Sequence, residues 1–520
     1  MAAAATSSAV PGLRRNMVTI CAMTATIMQA LDTTIANVAL PYMQGSLSAS
    51  QDQINWVLTS YIVAAAIMTA PVGWIANRFG RKRIFIICAA GFTVASVMCG
   101  LAQDITQMVA FRLLQGVFGA ALVPLSQAVM LDSYALHERA KAMAIWGMGV
   151  MMGPIMGPSL GAWLTETYSW HWVFFVNLPF GAITVIGLLV FMDETKTDQE
   201  LRFDWFGFLA LAVGIGSMQL ALDRGEQLDW FNSSEIVIEF IVAAIGFYYF
   251  FAHSFTTPKP FIQFAIFKDR NFIGGCVFMT VMGLVLFSTM ALSSPFLQNV
   301  EGFPIMTAGL LLASRGCGTF VAMMLVGRIM RHIEARILIA TGLTLTCLSL
   351  YAMTGWTDQT SVSTIVTTSI VQGFGFGLVF VPLSTVAFMT LPGHLRTDGT
   401  SMLTLLRNVA SSIGISVVIA QLTSGTRATH AVLAEHINPF NQALQMPNIT
   451  GTIDMATTTG KAMMDAIVTA QAQIIAFSLD YQMVMLFTAC TIPLALLIGS
   501  TRAALRKQGE APADHAAVME

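Results

Sequence analysis

The sequence predicts an all-α membrane protein with fourteen transmembrane helices in a 6 + 2 + 6 order and both termini cytoplasmic. Of 520 residues, 55% are hydrophobic and only 10% are charged, against roughly 25% charged in soluble domains. The mean hydropathy is +0.70. The apolar residues fall in long runs, and the lysines and arginines crowd onto alternate connections between them. This composition excludes a soluble globular enzyme and a disordered chain. A net charge of -2 sets up no field aimed at nucleic acid.

A helix that spans a bilayer needs about 20 apolar residues. Runs of that size lie at 17–38, 54–76, 84–102, 106–131, 141–164, 172–192, 203–222, 235–253, 272–295, 305–327, 336–356, 363–390, 400–423 and 479–501. They are numbered here as spans 1 to 14. They are continuous rather than alternating, which excludes barrel strands. The first is too long for a cleaved signal peptide and leads into further spans. Of 26 lysines and arginines, 20 lie in one alternate set of connections. Arg224, Arg427 and Lys461 lie in the opposite set, and Arg112, Arg315 and Arg407 lie within spans. Basic loops stay on the cytoplasmic side, which places both termini there.

Two blocks recur along the chain. Span 4 reads Leu114-Gln115-Gly116 and then Val123-Pro124-Leu125-Ser126; span 12 reads Val371-Gln372-Gly373 and then Val381-Pro382-Leu383-Ser384. The segment from Gly73 to Arg83 after span 2 has a weaker echo from Gly327 to Arg336 after span 10. The chain therefore divides into a cytoplasmic N-terminus (1–16), a six-helix bundle (17–195), an inserted pair with its linkers (196–271), a second six-helix bundle (272–501) and a cytoplasmic tail (502–520). Repeats that run in the same direction are the arrangement of the two halves of major facilitator transporters. Within the second bundle, 424–478 reads as a long outward-facing loop in which Lys461 to Gln473 has amphipathic spacing.

Several chemistries are missing from the sequence. There is no GxxxxGK[ST]; Gly460-Lys461-Ala462 comes nearest and lacks the hydroxyl residue. No HExxH occurs. The seven cysteines lie in apolar segments and form no CxxC, which speaks against a zinc site or a disulfide framework. The reading is a protein that is not an enzyme and holds no cofactor or metal. If it pumps, an ion gradient drives it.

An ionisable residue within a span is costly and is a functional hypothesis by default. Asp32 reads as the one carboxylate deep within any span, with Asp132 and Glu239 near span ends. Asp32 in span 1 and Arg112 in span 4 both fall about 10 Å below the outer surface, and equal depth allows a direct or water-bridged pair between them. Burial raises a carboxylate pKa and a nearby arginine lowers it. An aspartate whose arginine contact changes with conformation can load a proton on one side and release it on the other. Asp32 and Arg112 are the expected proton-coupling pair. Arg315 and Arg407, near mid-membrane, are candidates for meeting an anionic or polarised substrate, and Asn37, Gln115 and Gln372 join them as pocket candidates.

Span 5 carries Gly149, Gly153-Pro154, Gly157-Pro158 and Gly161. Spacing by four puts the glycines on one face, where a neighbouring helix can approach closely. Pro154 and Pro158 remove backbone bonds and favour bending. The expectation is a hinge and a tight seam. The 33 methionines would suit an adaptable pocket but carry little weight alone.

These residues resemble a known family. Leu31-Asp32-Thr33-Thr34-Ile35-Ala36-Asn37 in span 1, Arg112 to Gly119 in span 4, Gly149 to Gly161 in span 5, Trp170 to Pro179, and Leu222-Asp223-Arg224-Gly225 with Asp229-Trp230 are together similar to the fourteen-helix drug:proton antiporters of the EmrB/QacA type in the major facilitator superfamily, the EmrB branch most of all. The resemblance implies a multi-pass bacterial inner-membrane exporter of varied hydrophobic drugs. It would be driven by protons and work by alternating access. It also implies a periplasmic adaptor and an outer-membrane channel as partners, with the 424–478 segment helping to dock the adaptor. It assigns Gly73, Asn77, Arg78, Gly80, Arg81 and Asp132 to a cytoplasmic gate. Two departures matter. The wider family has Asp where this chain has Asn77, so a weaker gate contact is expected. Relatives that export dications carry acids on spans 10 and 13, where this chain has Arg315 and Arg407, which points to neutral or weakly acidic substrates. A transporter of a single metabolite and a non-transporting scaffold or receptor are the rival readings.

Overall fold

The computed structural model describes residues 12–135, 138–195, 197–198, 200–257, 260–330, 332–437 and 457–497. Among them every regular element is a helix. The first half holds α1 (Gly12–Ser46), α2 (Gln51–Thr69), α3 (Val72–Phe79), α4 (Arg81–Gly100), α5 (Ile105–Gly119), α6 (Leu122–Ser133), α7 (Arg139–Thr167), α8 (Trp172–Phe175) and α9 (Asn177–Phe191). The inserted pair is α10 (Trp205–Arg224) and α11 (Ser234–Thr256). The second half holds α12 (Arg270–Pro295), α13 (Ile305–Ile329), α14 (Ala335–Met353), α15 (Val362–Ala387), α16 (Arg396–Glu435) and α17 (Thr458–Thr491). Thirteen crossings, plus α2 and α3 taken as one bent crossing, give the expected fourteen.

Local chemistry explains the breaks. α2 and α3 meet at 56°, and Pro71 at the joint has no N–H to continue the helix. α5 gives way to α6 at Ala120–Ala121, where the ring of Pro124 crowds the carbonyl of Ala120, four residues earlier. Side chains cap several starts. Asp104 accepts from the backbone N–H of Gln107 at 2.9 Å and Asp204 from that of Gly207 at 2.9 Å, which satisfies orphan donors at the N-termini of α5 and α10.

The halves join along two seams. α7 packs on α13, and α16 packs on α2, α3 and α6. The inserted pair straddles the second seam through α10, which touches both α2 and α16. Polar bonds fix it there: Gln219 donates to Ser412 at 2.8 Å, Ser416 to the carbonyl of Leu222 at 2.7 Å, and Thr59 to Asp223.

One expectation is corrected. The stretch 424–478 is not one long loop, because α16 runs to Glu435 and α17 begins at Thr458. At 40 residues α16 is about 60 Å long, roughly twice a bilayer's hydrocarbon thickness. Its far end pairs with the start of α17: Leu433 and Ile437 pack on Met464 and Val468, and His430 lies 3.0 Å from Asp465. Hydropathy missed these extensions because charged and polar residues such as Arg427, Glu435, Lys461 and Asp465 interrupt their apolar positions. Asn438 to Asn441 of the expected docking loop, Lys196, Lys259, Arg331 and the tail 502–520 lie outside the described residues.

Candidate functional site

Asp32 and Arg112 meet in the first half as expected. Their side chains are 0% and 1% exposed, and Nη1 of Arg112 donates to Oδ2 of Asp32 at 2.8 Å. The same nitrogen donates to Oε1 of Gln115 at 2.9 Å, and Nε donates to the carbonyl of Val57 at 3.0 Å. Gln115 in turn donates through Nε2 to Oδ1 of Asp32 at 2.8 Å. Gln115, expected in the substrate pocket, is thus a member of the charge cluster. Its place follows from helix spacing: three residues after Arg112, it lies on the same face of α5.

Two further members have no signal in sequence spacing. Asn177 at the start of α9 donates to Oδ1 of Asp32 at 3.2 Å and to Ser96 at 2.9 Å. Tyr61 of α2 covers the guanidinium, its ring centroid 4.4 Å away. The one available hint is an asparagine followed by Leu-Pro within an apolar run. The cluster thus joins α1, α4, α5 and α9, with α2 as its lid. Asp32 accepts three donors, so its negative charge is well compensated as the chain stands. Removing one partner of such a pair leaves a buried charge at a cost of about 3–5 kcal/mol.

The glycine face of α7 seats this helix. A Cβ on Gly153 would overlap the backbone of Ala30, and one on Gly157 would overlap Thr34. Thr34 donates to the carbonyl of Gly153 at 3.0 Å. Gly149 and Gly161 face Met23 and Ile35. The glycines therefore hold α1, the helix of Asp32, within its own half. The other face of α7 makes the seam: Ile155 lies against Gly316 of α13, and Pro158 and Ser159 lie against Gly309. Despite Pro154 and Pro158, α7 is continuous.

The second half holds polar groups of another kind. Arg315 is 6% exposed and donates through Nη2 to Ser293 at 3.2 Å. Ser293 lies 3.2 Å from the hydroxyl of Tyr481. Gln372, the repeat partner of Gln115, is fully buried, and neither its nitrogen nor its oxygen has a partner. Arg407 donates to Asn408 at 3.3 Å, and its Nε is buried without a partner. Asn37 is exposed on α1. The expectation that Asp32 is the one deep carboxylate is corrected. Asp480 of α17, well inside its helix, is 0% exposed with both oxygens unpartnered; Asp398, at the start of α16, is also buried, at 8% exposed. Both sit at or before the start of an apolar run, so hydropathy placed them at the surface, whereas the helices begin earlier.

The gate residues gather at the end of the bundle that carries the basic loops. Asp132 of α6 accepts from Arg81 at the start of α4 and from Arg396 of α16. Arg81 also donates to the carbonyl of Gly393 at 3.3 Å. Asn77 donates to Asp398 at 3.4 Å. Gly80 has φ +95, a left-handed conformation suited to glycine, and Glu194 accepts from the backbone of Lys82 and Arg83 beside it. Arg78 lines a surface cleft with Arg83 and Glu194. Deeper in, Trp146 of α7 stacks on Phe380 of α15 with centroids 5.8 Å apart. Met130, Met143 and Met323 belong to the same apolar cluster, which crosses the two halves. This end is closed by a polar latch and an apolar plug.

The Major Facilitator Superfamily profile matches residues 22–415. The chain belongs to the Major Facilitator Superfamily. This transporter is 34% identical over 441 residues to the multidrug export protein EmrB of Escherichia coli strain K12, covering 84% of this chain and 85% of that protein. It is also 34% identical over 421 residues to the fatty acid resistance protein FarB of Neisseria gonorrhoeae, covering 81% and 83%. In fold it is similar to the proton:xylose symporter XylE, with TM-score 0.57 and 13% identity over 94% of this chain and 97% of that one. The human organic anion transporter MFSD10 gives TM-score 0.56 and 14% identity, over 91% and 99%. The transporter is of the EmrB type, is not an enzyme, and is a multi-pass protein of the bacterial inner membrane.

Proposed function

We propose that this transporter is a proton-driven drug exporter that works by alternating access between its two six-helix bundles. The observation that carries the reading is the Asp32–Arg112 pair. A carboxylate with no exposure, bonded to an arginine that stays charged, is a group whose protonation changes the bonding of four helices at once. Protonation of Asp32 removes the charge that Arg112 faces, and the freed guanidinium favours another arrangement. The proton motive force is then the energy source. The closed basic end fits a form open away from the cytoplasm, once that end is placed inside by its positive charge. The test is drug transport in proteoliposomes under a pH gradient, for the wild type beside Asp32→Asn and Arg112→Ala. Gradient-driven transport that survives in Asp32→Asn would falsify the coupling role.

The substrates we propose are structurally varied, hydrophobic, and neutral or weakly acidic. Buried Arg315 and partly buried Arg407 support this, since a guanidinium withdrawn from water repels a cation and receives a carboxylate or a polarised oxygen. The similarity to a fatty acid resistance protein points the same way. The paired ends of α16 and α17, which extend beyond the bilayer's reach, support a further reading: a periplasmic adaptor docks there and passes substrate to an outer-membrane channel.

A further inference from the structure

Asp398 sits at a place where a carboxylate is expensive. It is 8% exposed and lies in the first turn of α16, on the second half of the molecule. Its bonded partner lies on the first half: Asn77 of α3 donates to it at 3.4 Å. The chain makes room for it with a glycine, since a Cβ on Gly73 would overlap the carboxyl of Asp398. Arg81 of α4, bonded to Asp132 and to the carbonyl of Gly393, is the nearby cation whose charge acts on it. Arg396 on its own helix turns instead to Asp132 of α6. A small pocket beside it is lined by the apolar Ala70, Phe261, Ile262, Met402 and Leu405. The sequence suggests a gate weakened by Asn77, which lacks a charge. The structure instead brings a carboxylate to the same spot from across the seam.

We propose that Asp398 is the latch carboxylate of the basic end. In the closed form it accepts from Asn77, lies within the field of Arg81 and fills the notch over Gly73. When the halves part there, it loses all three and passes into water. The latch therefore depends on one negative charge shared across the seam between positions 77 and 398. Two charges would repel, and none would leave Arg81 without its second anion beside Asp132. This rests on the halves moving relative to each other, as alternating access requires, and is independent of Asp32 as the coupling site.

A charge swap tests it. Spin labels on Arg83→Cys and His394→Cys, both exposed and one on each half, report the opening of this end when the exposed Cys317 and Cys490 are replaced by serine. Asp398→Asn and Asn77→Asp should each raise the ratio of open to closed distances about tenfold, the lower range for losing a hydrogen bond to a charged group. The double variant Asn77→Asp with Asp398→Asn restores one charge on the opposite side and should return the ratio to near that of the wild type. The proposal is overturned if neither single variant shifts the distribution, or if the double variant stays as open as the more open single one. The double variant decides the matter even where one single variant folds poorly, because only a shared charge predicts rescue. A loss of gradient-driven transport in Asp32→Asn leaves this readout untouched.

Discussion

Arg112 and Asp32 are joined by one 2.8 Å bond, and neither side chain reaches solvent. The remaining valences of the pair go to Gln115, Asn177 and the carbonyl of Val57. The cluster is therefore sensitive to charge and to geometry, and substitutions separate the two.

Asp32→Asn keeps the shape and removes the charge. It leaves Arg112 buried opposite a neutral group, at a cost of about 3–5 kcal/mol in stability. The expected outcome is a lower melting temperature in detergent and gradient-driven transport at background. Drug binding without a gradient should be retained. Loss of binding together with transport would mean that the pair only holds the fold.

Asn177→Ala removes one of three donors to Asp32 and one bond to Ser96. A hydrogen bond to a charged group contributes about 1.5–3 kcal/mol. Transport should fall in proportion, by about tenfold or more, yet remain measurable. Asn177→Ala with wild-type rates would remove it from the coupling cluster.

Gly153→Val places a branched side chain where the backbone of Ala30 lies. Overpacking costs about 1–3 kcal/mol, and here it pushes away the helix that carries Asp32. Both thermal stability and transport should drop. Gly45→Ala, on the same long α1 with no atom within 4 Å of its new Cβ, should leave both unchanged.

Arg407→Met removes a guanidinium whose Nε has no partner. If that group receives acidic substrates, export of a weakly acidic amphiphile should fall about tenfold or more relative to export of a neutral one. Equal loss for both would assign Arg407 to packing.

Replacing the paired ends of α16 and α17 by a short turn should abolish drug resistance in cells while leaving proteoliposome transport intact. That outcome is expected if the pair docks an adaptor. Loss of transport in vesicles as well would make it part of the bundle.

The crossings were legible because hydropathy and helix length are local properties. The Asp32–Arg112 pair was legible for a related reason: depth along a helix follows from residue count, and two opposite charges at one depth in lipid have few other partners. Asn177 and Tyr61 were not, because nothing in their spacing says that α9 and α2 lean on α1. The burial of Asp480 and Asp398 was not legible, because hydropathy starts each span at its apolar run and both residues lie at or before that start, on helices that begin earlier. The glycine face of α7 was visible, but its partner was not. It seats α1 within one half, and the seam with α13 falls to the opposite face.

By itself the sequence determined the number of crossings, the side on which the basic loops gather, the two-fold repeat and the charges stranded in lipid. The crossings and the stranded charges follow from the cost of leaving polar groups in hydrocarbon, the side from the charge of the loops, and the repeat from residue blocks that recur along the chain. Tertiary structure decided which helices share those charges, that Gln115 belongs with Asp32, and that a carboxylate at position 398 meets Asn77 across the seam. Such choices depend on how whole helices pack, and packing is settled between surfaces far apart in the chain.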